Sequence, residues 1–332
     1  MELLTGILAK AGLAALGAIT PCRLSILTFH RVHARADSIF PDELDAERFD
    51  QRMRFVAQTF NVLTLGQAIS RLAAGSLPPR AMVITFDDGY ADNVEVALPV
   101  LRRHGLAATF SVATGFLDGG RMWNDSVIEC LRATAKDSLD LEAFGLRRLP
   151  VAEARDRRVA IEQLLSRIKY LTVAERDQAI TRLQAICGVA ALPRGLMMRT
   201  EQVRDLHRAG MEIGGHTVNH PILLSLTLAE AESEIVEGKR RLEAICDSPV
   251  DVFAYPNGIP GQDYTAEHAK LVEALGFRGA VTTARGVAQT GDDLFQLPRY
   301  TPWANSLAIF SMRLLMNQLH RDVELAPPRA SQ

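Results

Sequence analysis

Two adjacent carboxylates close an apolar run in Ile84-Thr85-Phe86-Asp87-Asp88-Gly89-Tyr90, and a glycine turn follows at once. Successive strand residues point to opposite faces, so Asp87 and Asp88 aim in different directions, one free to hold a cation and the other to face substrate. Asp-Asp-Gly also suits an Asx-type turn that caps the next helix, and this segment alone leaves both readings open. A second segment, Gly214-Gly215-His216-Thr217-Val218-Asn219-His220-Pro221, carries imidazoles at i and i+4. Two imidazoles about one helical turn apart suit a shared cation, and the flanking glycines and proline mark a loop rather than a helix face. The other histidines (His30, His33, His104, His207, His268 and His320) form no second such pair. The third segment, Val252-Phe253-Ala254-Tyr255-Pro256-Asn257-Gly258, is either a plain turn or a loop presenting backbone amides or Tyr255 to a substrate. Trp123 is a stacking platform for a ligand if exposed over a groove, and a core filler if not.

Such residues act together only if a scaffold delivers each at the end of a strand. Apolar runs at 25–29, 81–86, 107–113, 212–215, 250–255 and 278–282 read as buried strands. Segments 91–103, 200–209, 227–245 and 265–275 read as helices, the third opened by a Thr227/Glu230 capping box. Strand and helix in alternation argue for a mainly parallel sheet with helices outside, a fold whose active sites gather at the C-terminal ends of the strands. The stretch 132–198, rich in Leu and charge and holding a Thr172/Glu175 capping box, reads as a purely helical insertion.

The 332 residues are 48% hydrophobic and 23% charged, with a formal net charge of −2. That balance supplies a full-sized core and excludes a basic nucleic-acid binder or an acidic tail as the main theme. Four scattered cysteines, Cys22, Cys130, Cys187 and Cys246, do not form a disulfide framework. The first 20 residues are apolar but interrupted by Lys10, and Glu2 precedes the apolar run. A helix packed on the domain is the plain expectation there, with peripheral membrane contact as the sharper alternative. Those features point to the cytoplasm, or to the inner face of the membrane.

Taken in order, T-F-D-D-G (Thr85 to Gly89), H-T-V-N-H (His216 to His220) and A-Y-P-N-G (Ala254 to Gly258) resemble the motifs of the polysaccharide deacetylases, the NodB homology domain of carbohydrate esterase family 4. The early Leu27-Thr28-Phe29-His30-Arg31-Val32 is similar to the opening motif of bacterial members, so the resemblance covers about His30 to Arg299. It implies an α/β fold, a distorted (β/α)7 barrel, placed over 25–325 around the insertion at 132–198; the apolar start reads as a leading helix over 1–24 and the end, 326–332, as a frayed tail. It also implies one divalent ion, zinc first with cobalt, nickel or iron as alternatives, held by Asp88, His216 and His220. Asp87 would be the general base toward a metal-activated water, and a backbone amide near Asn257 would meet the oxyanion. Tyr90, Trp123, Tyr255, Asn257 and His30 would line the substrate site, and the substrate would be an N-acetylated sugar or oligosaccharide. Two departures stand out. Ala254 occupies the place of an arginine that holds the base carboxylate, and Arg299 is the candidate replacement, although a loop position is an equal reading for it. No late Leu-x-x-x-His supplies an imidazole acid for the leaving amine.

Overall fold

The computed structural model describes residues 12–13, 22–301, 304, 306–320 and 323–328. Its elements are β1 (Arg23–Phe29), α1 (Ala46–Thr59), β2 (Asn61–Leu63), α2 (Leu65–Ala73), β3 (Ala81–Phe86), a π-helical turn (Asn93–Ala97) leading into α3 (Leu98–Arg103), β4 (Thr109–Val112) and α4 (Trp123–Ala133). A ribbon β5 (Ser138–Leu139) and β6 (Leu149–Pro150), then α5 (Ala154–Ile168), α6 (Val173–Cys187) and α7 (Thr200–Arg208), precede β7 (Glu212–Gly215). The chain continues through α8 (Leu228–Cys246), β8 (Val252–Ala254), α9 (Ala266–Ala274), β9 (Gly279–Val281), β10 (Ala288–Gln289) and α10 (Leu307–Asn317).

All six expected strands form and pair in the order β1-β3-β4-β7-β8-β9, parallel throughout. The sheet curls until residues 297–300 bridge its two ends. Leu297 pairs in parallel with Val281 of β9, and Tyr300 with Leu27 of β1. This segment completes a distorted (β/α)7 barrel. Alternation sorts the strand residues onto two faces. Leu24, Ile26, Ala81, Val83, Val252, Ala254, Val281 and Leu297 share one buried cluster, which α2 stops from below with Leu65, Ala68, Ile69 and Leu72. Each of the larger side chains, fully buried, contributes about 1.5–3 kcal/mol of transfer free energy. Phe29, Ile84, Phe86 and Phe110 lie in the other, larger cluster, with the Phe86 and Phe110 rings stacked at 4.8 Å. Two steps above Val83 the same face of β3 carries Thr85, and two more steps bring Asp87 to the mouth of the barrel.

The sequence reading places no helix in the stretch before β3, yet it holds α1, whose Phe49, Met53 and Val56 are buried at i, i+4 and i+7, and the plug helix α2, opened by a Thr64/Gln67 capping box. Glu212 anchors that plug by accepting the Gly66 amide (3.1 Å) and the Thr109 hydroxyl (2.7 Å).

Four expectations are corrected. The 132–198 insertion is not purely helical: β5 and β6 pair antiparallel, two residues each, too short for a period-two pattern to register in the sequence. Its packed layer also begins earlier, at Trp123, because Val127, Cys130 and Leu131 of α4 share a core with Ile161 and Leu164 of α5 and Leu183 of α6. The leading helix assigned to 1–24 falls largely outside the described residues. Gly12 and Leu13 are helical, Leu13 is buried, and Arg23 and Leu24 already belong to β1. Finally, the tail is docked at its start. The Ala326 amide donates to Gln296 (2.8 Å), and the Pro327 carbonyl accepts from Ala266 (3.1 Å).

Helix α8 passes the loop between β7 and its own start so closely that a Cβ on Gly238 would sit 2.9 Å from the Thr217 carbonyl. Gly238→Ala is therefore expected to push that backbone aside and cost about 1–3 kcal/mol in a denaturant melt. An unchanged midpoint would mean that α8 shifts away freely.

Candidate active site

Every sequence-singled segment leaves a strand at the same end of the barrel. Asp87 and Asp88 follow β3, His216 follows β7, Tyr255 follows β8 and His30 follows β1. Asp88, His216 and His220 each offer one ligand atom, and those atoms all lie within 4.8 Å of one another, buried. Asp88 Oδ1 is 3.3 Å from His216 Nε2 and 3.4 Å from His220 Nε2. Among the described residues it nevertheless has no hydrogen-bond partner, and neither has His220 Nδ1. An orphaned buried acceptor costs about 1–3 kcal/mol, a cost that a cation between the three side chains removes. His216 Nδ1 faces the Ala254 carbonyl at 2.7 Å, so that nitrogen carries the proton and Nε2 is left with its lone pair toward Asp88. The donor set fits a divalent ion such as zinc.

The electrostatics of the two imidazoles differ. Burial drops His220 to about 3, so it stays neutral and able to ligate. Burial pulls His216 down as well, but the adjacent Asp88 carboxylate and the charge of Asp87 raise it overall. A proton held there competes with a cation for the same lone pair. For Asp88, burial opposes ionisation, but the neighbouring imidazoles outweigh it and hold the carboxyl low.

Asp87 turns away from the triad onto Arg299. The guanidinium grips both carboxylate oxygens, at 2.8 Å and 2.7 Å, and each side chain is about 2% exposed. Arg299 also donates to the Thr282 carbonyl (2.8 Å) and to Thr85 Oγ1 (3.2 Å). Burial would push the Asp87 carboxyl up, yet Arg299 and, behind it, His216 win and keep it below the ordinary carboxylate range. Arg299 thus occupies the position facing Asp87 that Ala254 cannot fill.

The remaining candidates divide. His30, Trp123 and Asn257 line the same cavity as the triad, of about 330 Å³. One face of the Trp123 indole is covered by the Arg176 guanidinium at 5.0 Å, and the half-buried ring also packs on the insertion core. Asn257 is held in a left-handed conformation (φ 58°). Tyr255 lines that cavity as well, with its ring stacked on Tyr264 at 4.0 Å and its hydroxyl donating to the Phe295 carbonyl. Tyr90 lies instead in an adjoining chamber of about 260 Å³ that shares Asp88, His30 and Asn124 with the first. Its hydroxyl donates to Asp125 (3.2 Å).

Two contributors escaped the sequence reading. Asp125 is buried beside Tyr90, and burial, helped by Asp88 and opposed by Arg31, pushes it up to about 7. Glu234 of α8 accepts the Val218 amide (3.0 Å) and the Asn219 amide (2.8 Å), and so clamps the loop between the two histidines. A glutamate inside an amphipathic helix carries no local mark of such a role; only the fold brings it to the loop. Backbone strain gathers around the site: among the described residues, four of the eight non-glycine residues with positive φ are Asp88, Thr217, His220 and Asn257.

Removing the Arg299 cation takes away the largest of the effects that oppose burial at Asp87, so Arg299→Gln is expected to reverse the sign of its linkage. In the wild type the depressed Asp87 contributes stability above its unfolded pKa and loses it as pH falls. In the variant, with the pKa raised, stability is fullest below the unfolded value and falls as pH rises from about 4 toward 7. Melts across that range are expected to show this slope and a loss of about 3–5 kcal/mol near neutrality. Parallel pH profiles for the two proteins would show that the pair is not coupled.

Known proteins share this architecture. A solved deacetylase from Streptococcus pyogenes, PplD, covers 90% of this chain and 99% of its own at a TM-score of 0.59 and 20% identity. IcaB from Ammonifex degensii covers 88% and 98% at a TM-score of 0.57 and 18% identity. In sequence, the putative polysaccharide deacetylase YxkH of Bacillus subtilis (strain 168) is 21% identical over 281 residues, 84% of this chain and 71% of that protein. The polysaccharide deacetylase model matches residues 74–280, from ahead of β3 to the middle of β9, and a match over more than half its length makes this chain a member of the polysaccharide deacetylase family.

Proposed function

We propose that the protein is a metal-dependent hydrolase that removes N-acetyl groups from an amino sugar of a cell-surface polysaccharide or its precursor. The observation that carries this reading is the Asp88, His216 and His220 cluster, with ligand atoms within 4.8 Å, set beside an Asp87 carboxylate that Arg299 holds ionised. Asp88 Oδ1, His216 Nε2 and His220 Nε2 would hold the ion, zinc first by donor type, with cobalt, nickel or iron as alternatives. A divalent cation there would supply Lewis-acid polarisation of the acetyl carbonyl and acidify a water.

The chain's own groups do the rest. Asp87 takes the proton of the attacking water, while Arg299 keeps the carboxylate ionised beforehand and fixes its plane. The left-handed turn at Asn257 offers a backbone amide to the oxyanion as the carbonyl becomes tetrahedral. The C–N bond then breaks, acetate leaves, and the amine takes up a proton. His30, on the cavity wall shared with the adjoining chamber, is the imidazole best situated to meet that nitrogen. Trp123 would offer its uncovered surface to a sugar ring. Acetate is the product expected of this chemistry, and the similar Streptococcus pyogenes deacetylase was solved with acetate bound.

A second reading, an O-acetyl esterase or a non-sugar amidase on the same fold, is favoured by the missing late histidine. His268 is buried, with Nδ1 engaged by Thr265 at the start of α9, and His320 lies beyond α10. An ester leaving group needs little protonation, so it would tolerate that lack. A silent sugar-binding relative would instead bind acetylated sugar without turnover.

Protein loaded with zinc or cobalt is expected to release acetate from N-acetylglucosamine oligomers or a lipid-linked acetamido sugar, faster than from acetylated xylan. Asp87→Asn should lower kcat by about 10²–10⁴-fold with full metal content, whereas Asp88→Asn should lose the metal. Metal-loaded wild type that stays inert across a broad panel of acetylated sugars would end the proposal.

A further inference from the structure

Beside the orphaned Asp88 oxygen, three more buried polar atoms have no hydrogen-bond partner among the described residues: Thr28 Oγ1, Asn124 Oδ1 and Asp125 Oδ2. All three residues line the chamber of about 260 Å³ that adjoins the triad cavity, and Thr28 and Asp125 are only 1% and 2% exposed. Orphaned atoms of this kind are rare in a folded chain, and their gathering on one cavity wall points to an occupant. Asp125 Oδ1 already accepts from the Tyr90 hydroxyl at 3.2 Å, which fixes the carboxyl and leaves Oδ2 for whatever enters. Asn124 and Asp125 stand in the first turn of α4, directly after Trp123. One helical turn therefore presents an indole to the triad cavity and two acceptors to the chamber beside it.

The rest of the wall narrows the chemistry of that occupant. Phe29, Phe40, Leu44 and Ile128 give it apolar faces. Its charged side chains are met elsewhere: Arg31 by Asp92 at 2.8 Å, Arg132 by Asp37 at 2.7 Å and Asp42 by Arg158 at 3.0 Å. Neither a cation nor an anion is selected. What remains unmet suits a neutral hydroxyl, which donates to an amide or carboxylate oxygen and accepts from the threonine hydroxyl or from a protonated carboxyl. Apolar walls with a few convergent polar atoms are the make-up of a small-ligand site, and here the ligand is rich in hydroxyls.

We propose that this chamber is a second sugar subsite, in which Asp125, Asn124 and Thr28 bind the hydroxyls of the unit next to the one that loses its acetyl group. His30, Asp88 and Asn124 line both the chamber and the triad cavity, so a glycosidic link can pass between the two spaces. The substrate is then at least a disaccharide. This role depends on the triad being the reaction centre proposed above.

Calorimetric titration of zinc-loaded Asp87→Asn protein, in which hydrolysis is slowed, tests it with N-acetylglucosamine and with the β-1,4- and β-1,6-linked dimers. At least one dimer should bind about tenfold more tightly than the monosaccharide, the gain expected of hydrogen bonds to a buried carboxyl. Adding Asp125→Ala, or Ile128→Trp to fill the chamber, should abolish that preference. Asp125→Asn, which keeps an acceptor and the partner of Tyr90, should retain most of it. Dimers that bind no better than the monosaccharide overturn the proposal, as does a preference that survives both chamber substitutions in proteins with an unchanged melting midpoint. Acetate release separates this subsite from the reaction assigned to the triad. A dimer preference with no hydrolysis by metal-loaded wild type ends the hydrolase reading alone, whereas release from monosaccharide and dimers at equal kcat/KM ends the subsite alone.

Discussion

The buried ion pair between Arg299 and Asp87 joins the closure of the barrel to its chemistry. Arg299 sits on the segment that bridges β9 to β1, and its guanidinium reaches across the mouth to the carboxylate that ends β3, to the Thr282 carbonyl and to Thr85. Two charges taken out of water are costly unless geometry and hydrogen bonding are nearly complete, and here every guanidinium nitrogen has an acceptor. The requirement is therefore mutual. The seventh segment must be in register for Arg299 to arrive, and Asp87 must be ionised for Arg299 to be tolerated there.

The histidine loop depends on a different device. Its residues adopt left-handed backbone at Thr217 and His220, conformations that an isolated peptide would mostly avoid. Glu234 holds two of the loop amides, the Thr217 hydroxyl accepts the His220 amide at 3.1 Å, and Gly238 allows α8 to lie against the loop backbone. Packing and hydrogen bonds from α8 thus offset the local strain, and the result is two imidazole nitrogens aimed at one carboxylate oxygen.

The strands were largely legible because buried parallel strands leave short apolar runs bounded by turns, and 81–86 and 212–215 were placed to the residue. Segment 91–103 reads as one helix and is helical without a break from 92 to 103; only its π-helical turn, just ahead of Pro99 with no amide to give to the ladder, leaves no mark in the pattern. The ribbon β5–β6 was invisible for want of length. Membership of the family, and with it the barrel, followed from three spaced motifs together with the alternation of elements.

Residue identity by itself determined which groups in this chain can do chemistry: paired aspartates after an apolar run, imidazoles four apart in a glycine-bounded loop, and an arginine near the end of the barrel. Their types make metal ligation and proton transfer available if a fold brings them together. Only the tertiary structure decided that Arg299 rather than a neighbour of Tyr255 meets Asp87, that the Tyr255 hydroxyl is spent on Phe295, and that Asp125 and Glu234 belong to the site at all. Those outcomes turn on which side chains meet across separations of 16 to 212 residues of sequence. Local pattern carries no record of such distances; closure of the barrel sets them.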